Sequence, residues 1–320
     1  MNKVRLGRTD LMVTPICFGT SGLGDMPETY GYGVDAARAH ATIQAIFDGP
    51  ANFLDTSRIY GDGRSEERIG TAILERGGLP EGFVVSTKLD RDPRTNVFDA
   101  GRARRSLELS LKALGLERID LMNLHDPEHA RSLDEATGRE GALGELFRLK
   151  EEGLVKAVGL AAGNVDMMIP LLRDWDFDAL ITHNRFTIAN RNAEAMMELA
   201  TARGVAVINA APYAGGILAK GSTEFSRYVY QEATGAVLDP IRRIEAICAR
   251  HGVPPGAAAL QFSMRDPRIT ATVCGVSKAE RVRQTIDWAN YAIPSALWDE
   301  LKAVPFSTDD PEATREYKAG

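Results

Sequence analysis

Cysteine is scarce in this chain: three in 320 residues, at Cys17, Cys248 and Cys274. An odd number without metal-ligand spacing argues against a disulfide framework and a zinc site. It reads as small core residues in a reducing, cytoplasmic compartment. Long apolar runs are missing too. None approaches the roughly 18 residues of a membrane span, and the opening MNKVRLGRTD has no apolar signal core, so a membrane location is not expected. Positive charge is not in excess. Lys and Arg number 38 against 44 Asp and Glu, a net charge of −6. That balance disfavours nucleic acid and anionic membrane surfaces as partners. A dinucleotide fingerprint behind a strand is also lacking. The nearest approach, Gly31-x-Gly33-x-x-Ala36, follows Pro27-Glu28-Thr29-Tyr30 rather than an apolar run, which sets aside an open doubly wound sheet.

What is present is a regular alternation. Apolar residues make up 44 % of the chain, enough for a sizeable core. Short apolar runs are expected as strands at 16–19, 53–55, 83–87, 119–124, 155–160, 178–182, 205–209 and 271–274. Stretches of helical period separate them, at 35–47, 65–74 (capped by Ser65), 101–113, 139–152, 164–173, 191–203, 238–251, 256–264 and 278–289, with a last helix near 295–303. Eight strand–helix units favour closure. The expected fold is α/β, one (β/α)8 barrel domain over 1–320. A hairpin within 3–15 plugs its floor. A long loop at 212–237 and extra C-terminal helices complete it, and a polar tail at 305–320 is expected to be mobile from Ser307 on.

Three successive strand-like runs end in polar groups of catalytic type. Phe53-Leu54-Asp55 opens into a Gly-containing loop carrying Tyr60. Phe83-Val84-Val85-Ser86-Thr87 ends at Lys88. Ile119-Asp120-Leu121-Met122-Asn123-Leu124 ends at His125. A parallel barrel places its chemistry at these C-terminal strand ends. A phenol of ordinary pKa, about 10, is a poor acid–base group at neutral pH, so Tyr60 calls for a nearby cation. Lys88 can supply it, and Asp55 can hold Lys88. The cluster His125, Asp126, Glu128 and His129 resembles a metal set, but Pro127 disfavours the helix that such ligation needs, and no metal is expected. A glycoside hydrolase would need two opposed carboxylates about 5–9.5 Å apart, and no second strand-end acid stands out.

Asp55, Tyr60, Lys88 and His125 at four loci in this order resemble the catalytic tetrad of the aldo-keto reductases. The segments FLDTSRIYGDGRSEERIG, VVSTKL, LMNLHDP, GLVKAVGLA and CGVSKAERVRQT agree, and the likeness runs over roughly 5–300. HDPE and NAAPYAGGIL are similar to the aldose 1-dehydrogenases that act on L-fucose and D-threo-aldoses, a subgroup with pyridoxal 4-dehydrogenase relatives. The resemblance implies an NAD(P)-dependent oxidoreductase with a small sugar or aldehyde substrate. The same barrel also serves potassium-channel β-subunits, so a regulatory role is the alternative from another class.

It further implies a nicotinamide dinucleotide lying across the barrel mouth, NADP or NAD. The residues it implicates are Gly19, Thr20, Asn184, Gly275, Val276, Ser277, Lys278, Arg281 and Gln284, with Arg281 for a 2′-phosphate. This chain departs from the family pattern at four places. Gly275 stands where many NADP-preferring members have lysine, and Gln284-Thr285 replaces a Glu-Asn pair. Ala161-Ala162 replaces a Ser-Asn pair that holds the carboxamide, and Ala210 replaces an aromatic. His183, Asn184 and Asn164 are then the candidates for the carboxamide. Tyr30, Tyr32, Arg58 and Tyr213 are expected to wall the substrate pocket, with Phe225, Tyr228 and Tyr230 from the long loop.

Overall fold

The computed structural model describes residues 1–315. The last five positions of the 305–320 tail lie outside the described residues. Eight parallel strands close into a barrel in chain order: Ile16–Gly19, Phe53–Asp55, Val84–Leu89, Ile119–His125, Val155–Ala161, Ala179–His183, Ala206–Ala210 and Ile269–Gly275. The last pairs with both the first and the seventh, so the sheet has no free edge. Helices lie between successive strands, as a parallel sheet requires.

Alternation along each strand explains which side chains reach the site. Successive residues of a strand point to opposite faces. Cys17, Phe53, Val84 and Leu121 pack together with Ala157, Ala179, Ala206 and Ala271 inside the barrel. Ile16, Phe18, Leu54, Val85, Met122 and Leu124 instead pack outward, in the large cluster that includes helix residues Ile43, Ile69 and Leu107. Counting by twos from the inward residues gives Phe53 and Asp55, then Val84, Ser86 and Lys88, then Leu121, Asn123 and His125. The three strand-end groups therefore share the inward parity of the barrel core, one layer above it.

The barrel floor is closed by the hairpin Val4–Arg5 with Met12–Val13, whose Leu6 and Val13 are fully buried against that inner cluster. At Gly7, φ is +55°, and a Cβ would come within 2.6 Å of the Asp178 carbonyl oxygen, so the turn needs glycine.

Three expectations are corrected. The second-unit helix is Arg64–Arg76 and starts on Gly63, not on Ser65. The Ser65 hydroxyl instead donates to the Thr20 carbonyl at 3.0 Å, tying the helix to the first strand end. The 212–237 stretch is not a bare loop. It forms the short helices Ala214–Gly216 and Ile217–Lys220 and a hairpin of Arg227–Tyr228 with Gln231–Glu232. Ile217, Leu218 and Val229 anchor it in a separate apolar cluster with Ile241 and Ile244 of helix Gly235–Arg250. The tail is docked from Ser307 to Arg315. Ser307 N donates to Ala189 O at 3.0 Å, and Asn190 Nδ2 donates to Asp309 O at 2.9 Å. Among the described residues no helix is long and apolar enough to cross a membrane.

Candidate active site

The C-terminal strand ends surround a cavity of about 330 Å³. Asp55, Tyr60, Lys88 and His125 all line it. The Lys88 ammonium donates to Asp55 Oδ2 at 2.7 Å and to the Thr56 carbonyl at 2.5 Å. Asp55 Oδ1 accepts from the Ser86 hydroxyl at 2.8 Å, and Ser86 Oγ accepts from Asn123 Nδ2 at 3.0 Å. Three adjacent strands thus share one buried polar layer. Lys88 Nζ lies 5.2 Å from the centroid of the Tyr60 ring, and the His125 ring stands edge-on to Tyr60 at 5.9 Å.

Lys88 was expected to bring the Tyr60 phenol down. The environment does the reverse. Burial pushes the phenol well above its ordinary value, and the charges of Asp55, Asp126 and Asp90 add to the rise. Tyr60 is therefore a neutral phenol at neutral pH, a proton donor at rest. For His125, burial opposes protonation, but the carboxylates of Asp126 and Asp90 outweigh it and raise the ring. Asp90 lies two residues after Lys88, and Asp126 follows His125. Asp90 was not singled out for a role at the site, and Asp126 only within the metal set that was set aside. The signal was in TKLD and LHDP, a second acid at each strand end.

Of the residues implicated in holding a dinucleotide, Gly19, Thr20, Gly275, Val276, Ser277, Arg281 and Gln284 line the cleft continuously with the four strand-end groups. Thr20 is pinned there by its N and Oγ1, which donate to the Asp55 carbonyl at 3.0 and 3.1 Å. Arg38 Nε donates to Ser277 O at 2.7 Å and anchors that segment to helix Ala36–Phe47, a contact the sequence did not disclose. Lys278 is exposed and outside the lining, because it precedes helix Ala279–Ala289 in extended backbone.

Asn184 is also outside the cleft lining. Its Nδ2 donates to Glu312 Oε1 at 3.0 Å. Asn164 caps helix Val165–Asp174, accepting from Met167 N at 3.0 Å. Of the three carboxamide candidates, only His183 lines the cleft. Ala161, Ala162, Ala210 and Ala211 line it as well. These small residues leave room for a flat ring, and the lining fits a nicotinamide dinucleotide laid from the strand ends towards Arg281.

Tyr30, Tyr32, Tyr213, Phe225 and Tyr230 wall the opening, with Lys220, Arg227 and Trp288. Tyr30 stacks at 5.9 Å on Tyr32 and meets Tyr230 edge-on at 6.2 Å, and its hydroxyl bonds to Ser21 Oγ. Arg58 does not wall it. Its guanidinium turns away to Glu66 at 3.3 Å and Glu67 at 3.2 Å. Glu66 is fully buried, and burial pushes its carboxyl up to about 6. Tyr228 packs into the separate apolar cluster. Glu128 Oε1 accepts from the backbone N of Gly163 and of Asn164, at 2.9 and 3.0 Å.

The tail contributes what the sequence did not promise. Glu312 meets His183 Nε2 at 3.0 Å and Arg185 Nη1 at 3.2 Å, and Arg315 reaches the cleft. Contacts with His183, Arg185 and Asn184 outweigh burial and hold the Glu312 carboxyl well below the carboxylate range.

Comparison with known proteins agrees with this architecture. The description "Aldo/keto reductase family" matches residues 15–305. A D-threo-aldose 1-dehydrogenase of a Pseudomonas species is 31 % identical, over 91 % of this chain and 94 % of its own length. A pyridoxal 4-dehydrogenase of Microbacterium luteolum is 28 % identical, over 94 % of this chain and 96 % of its own. The solved holo form of an aldo-keto reductase from Bacillus halodurans shares the fold, with a TM-score of 0.79 over 99 % of this chain and 100 % of that one, at 20 % identity. By a match that spans the whole barrel, the chain belongs to the aldo/keto reductase family and is an NAD(P)-dependent oxidoreductase.

Proposed function

We propose that the chain oxidises an aldose at C1 to its lactone, with Asp55, Tyr60, Lys88 and His125 as the catalytic set. The observation that carries this reading is the wall around them. Tyr30, Tyr32 and Tyr230 combine flat apolar faces with hydroxyls, and Lys220 and Arg227 add cationic donors. A cyclic sugar offers an apolar face and a ring of hydroxyls, and needs both kinds of contact. The resemblance to a D-threo-aldose 1-dehydrogenase supports it.

When bound, a nicotinamide dinucleotide supplies the hydride acceptor or donor. Gly19, Thr20, Ser277, Arg281 and Gln284 would hold it, with His183 nearest in kind to a carboxamide partner. Arg281 favours NADP. The substrate oxygen would lie between the Tyr60 hydroxyl and the His125 ring. In reduction the neutral Tyr60 phenol gives its proton to that oxygen. In oxidation Tyr60 must first lose its proton: the phenolate then takes the proton of the substrate hydroxyl, and the Lys88 ammonium, held by Asp55, stabilises that charge.

The test is initial-rate measurement with both oxidised nucleotides across L-fucose, D-arabinose, galactose, glucose and xylose. Pyridoxal is offered with both oxidised nucleotides in the same assay, and with both reduced ones for the reverse sense. A pocket shaped to one hydroxyl pattern rejects epimers by leaving buried polar groups unpaired, so rates should differ sharply among the sugars. Oxidation of pyridoxal with no sugar oxidised would replace the aldose reading by that of the other relative.

A further inference from the structure

Asp90 sits directly beyond the third strand and has no part in the four-residue set. Its carboxylate is built into the site from several sides. Oδ1 lies 2.6 Å from His125 Nδ1. Oδ2 accepts from the Ser57 hydroxyl at 2.5 Å and from Ile59 N at 3.0 Å. The Asp90 main chain is fixed as well: its N donates to Ser106 Oγ at 3.0 Å, and its carbonyl accepts from Arg102 Nε at 3.0 Å. The side chain is almost fully buried. A buried carboxylate held in this way, with its donors in place, has one rotamer and one charge state.

We propose that Asp90 is a positioning residue for the reaction: it locks His125 with Nδ1–H on its carboxylate, so that Nε2 faces the substrate oxygen and is the atom where that ring gains or loses its proton. An ionised carboxylate only accepts, so the 2.6 Å contact requires the hydrogen on Nδ1. The neutral ring then presents a lone pair at Nε2. A substrate hydroxyl has one proton and passes it to Tyr60 in oxidation, so the ring holds that oxygen only by donating Nε2–H to it. The imidazolium presents Nε2–H, which donates to a carbonyl oxygen and so orients an aldehyde for reduction. Reduction therefore starts with both Tyr60 and the ring protonated, and oxidation with one proton fewer on the pair, so that Tyr60 can take the hydroxyl proton while Nε2–H donates to the same oxygen.

The groups facing the ring are few. Asp90 holds Nδ1, and Ser57 Oγ lies 3.4 Å from the same atom. Asp126 Oδ2 is 3.6 Å from Nε2. Tyr60 meets the ring edge-on, and Lys88 and His129 act on it through space. Two carboxylates against one ammonium keep the ring basic. Oxidation should therefore gain on the alkaline side of the His125 titration and reduction on the acid side.

The first experiment reads the ring itself and needs no turnover. Imidazole ¹⁵N and ¹³C shifts of the five histidines are followed against pH, with His125 assigned by its absence from His125→Gln. The expected result is a neutral form protonated at Nδ1, and a titration that falls by about one unit or more in Asp90→Asn. A neutral form protonated at Nε2, or a titration unmoved by Asp90→Asn, would overturn the proposal.

The second experiment measures kcat/KM against pH in both directions for wild type and Asp90→Asn. The acid limb of oxidation and the alkaline limb of reduction should both move to lower pH by the shift seen for the ring. In a His125→Gln background the Asp90→Asn effect should vanish. A uniform loss at all pH values, equal in both backgrounds, would leave Asp90 a merely structural residue. The kinetic half rests on the proposed role of His125 at the substrate oxygen and the spectroscopic half does not. A chain that oxidises no sugar but shows the shifted ring would sink the aldose reading alone.

Discussion

Lys88 Nζ stands 2.7 Å from Asp55 Oδ2, with both side chains almost wholly buried. Breaking such a pair from one side leaves an uncompensated buried charge, at a cost of roughly 3–5 kcal/mol. Lys88→Met should therefore lose activity and also lower the urea midpoint. Tyr60→Phe removes only a hydroxyl at the cavity edge. It should keep the wild-type urea midpoint and dinucleotide binding, and lower kcat by about 10²–10⁴-fold. Steady-state rates and urea curves on the same two variants separate the roles. Near-normal turnover by Tyr60→Phe would remove Tyr60 from the proton path.

The Asp90–His125 pair gives stability a pH dependence of known sign. His125 is raised in the folded state, so its contribution is complete below about 6.5, the unfolded value, and is lost as pH rises through the higher folded value. Asp90 is lowered, because His125, Ser57 and Ile59 N together outweigh its burial. Its contribution is present above about 3.9 and is lost as pH falls through the lower folded value. The pair thus stabilises most between about pH 4 and 6.5. The stability gap between wild type and His125→Gln, from urea curves across pH 4–9, should be widest in that window and shrink on the alkaline side. A gap that widens with pH would mean the ring is held neutral.

The barrel and its inward strand-end groups were legible because both follow from period. Two-residue alternation from Phe53, Val84 and Leu121 carries Asp55, Lys88 and His125 to one interior. What was hidden depends on side chains that meet from distant parts of the chain. Arg58 follows the second strand closely, as a pocket residue should, yet fully buried Glu66 draws it away. Asp90 drew no reading and Asp126 only that of a metal set, since nothing local says that a carboxylate will face His125. The 212–237 stretch was read by composition, which cannot show that Ile217, Leu218 and Val229 meet Ile241 and Ile244. The tail was polar and was read as mobile. Its order comes from Arg185, 127 positions away from Glu312.

That tail contact is open to test. Arg185 is 4 % exposed and is met by Glu312 at 3.2 Å and by Asp310 at 2.6 Å. Removing Glu312 leaves one carboxylate on a buried guanidinium, so the cost should fall near the lower end of that for a broken buried pair, about 3 kcal/mol. Glu312→Ala should release the segment from Ser307 on. Amide exchange at Ser307 and Arg191, whose N–H groups close the docking contacts, should rise by about two orders of magnitude. Unchanged exchange there would show that Asn190 and the backbone contacts alone hold the tail.

On the reading proposed above, the choice between NADP and NAD turns on Arg281 and on an open position in the same cleft. The Arg281 guanidinium is held over the cleft by a hydrogen bond to Gln284 Oε1, one helical turn on. A charge-assisted bond to a 2′-phosphate is worth about 1.5–3 kcal/mol, or one to two decades of affinity. Arg281→Ala should weaken NADP⁺ binding by that factor in fluorescence titration and leave NAD⁺ nearly unchanged. Gly275 lines the same cleft, is exposed, and has no heavy atom within 4 Å of where a Cβ would stand. Its glycine is not required by crowding or by a left-handed backbone, so a longer side chain fits without strain. Gly275→Lys should add a second cation and tighten NADP⁺ binding about tenfold, with salt sensitivity to match. Lys278→Ala, outside the lining, should change neither nucleotide. Equal losses of NAD⁺ and NADP⁺ in Arg281→Ala would instead place that guanidinium against a group the two nucleotides share, such as the pyrophosphate.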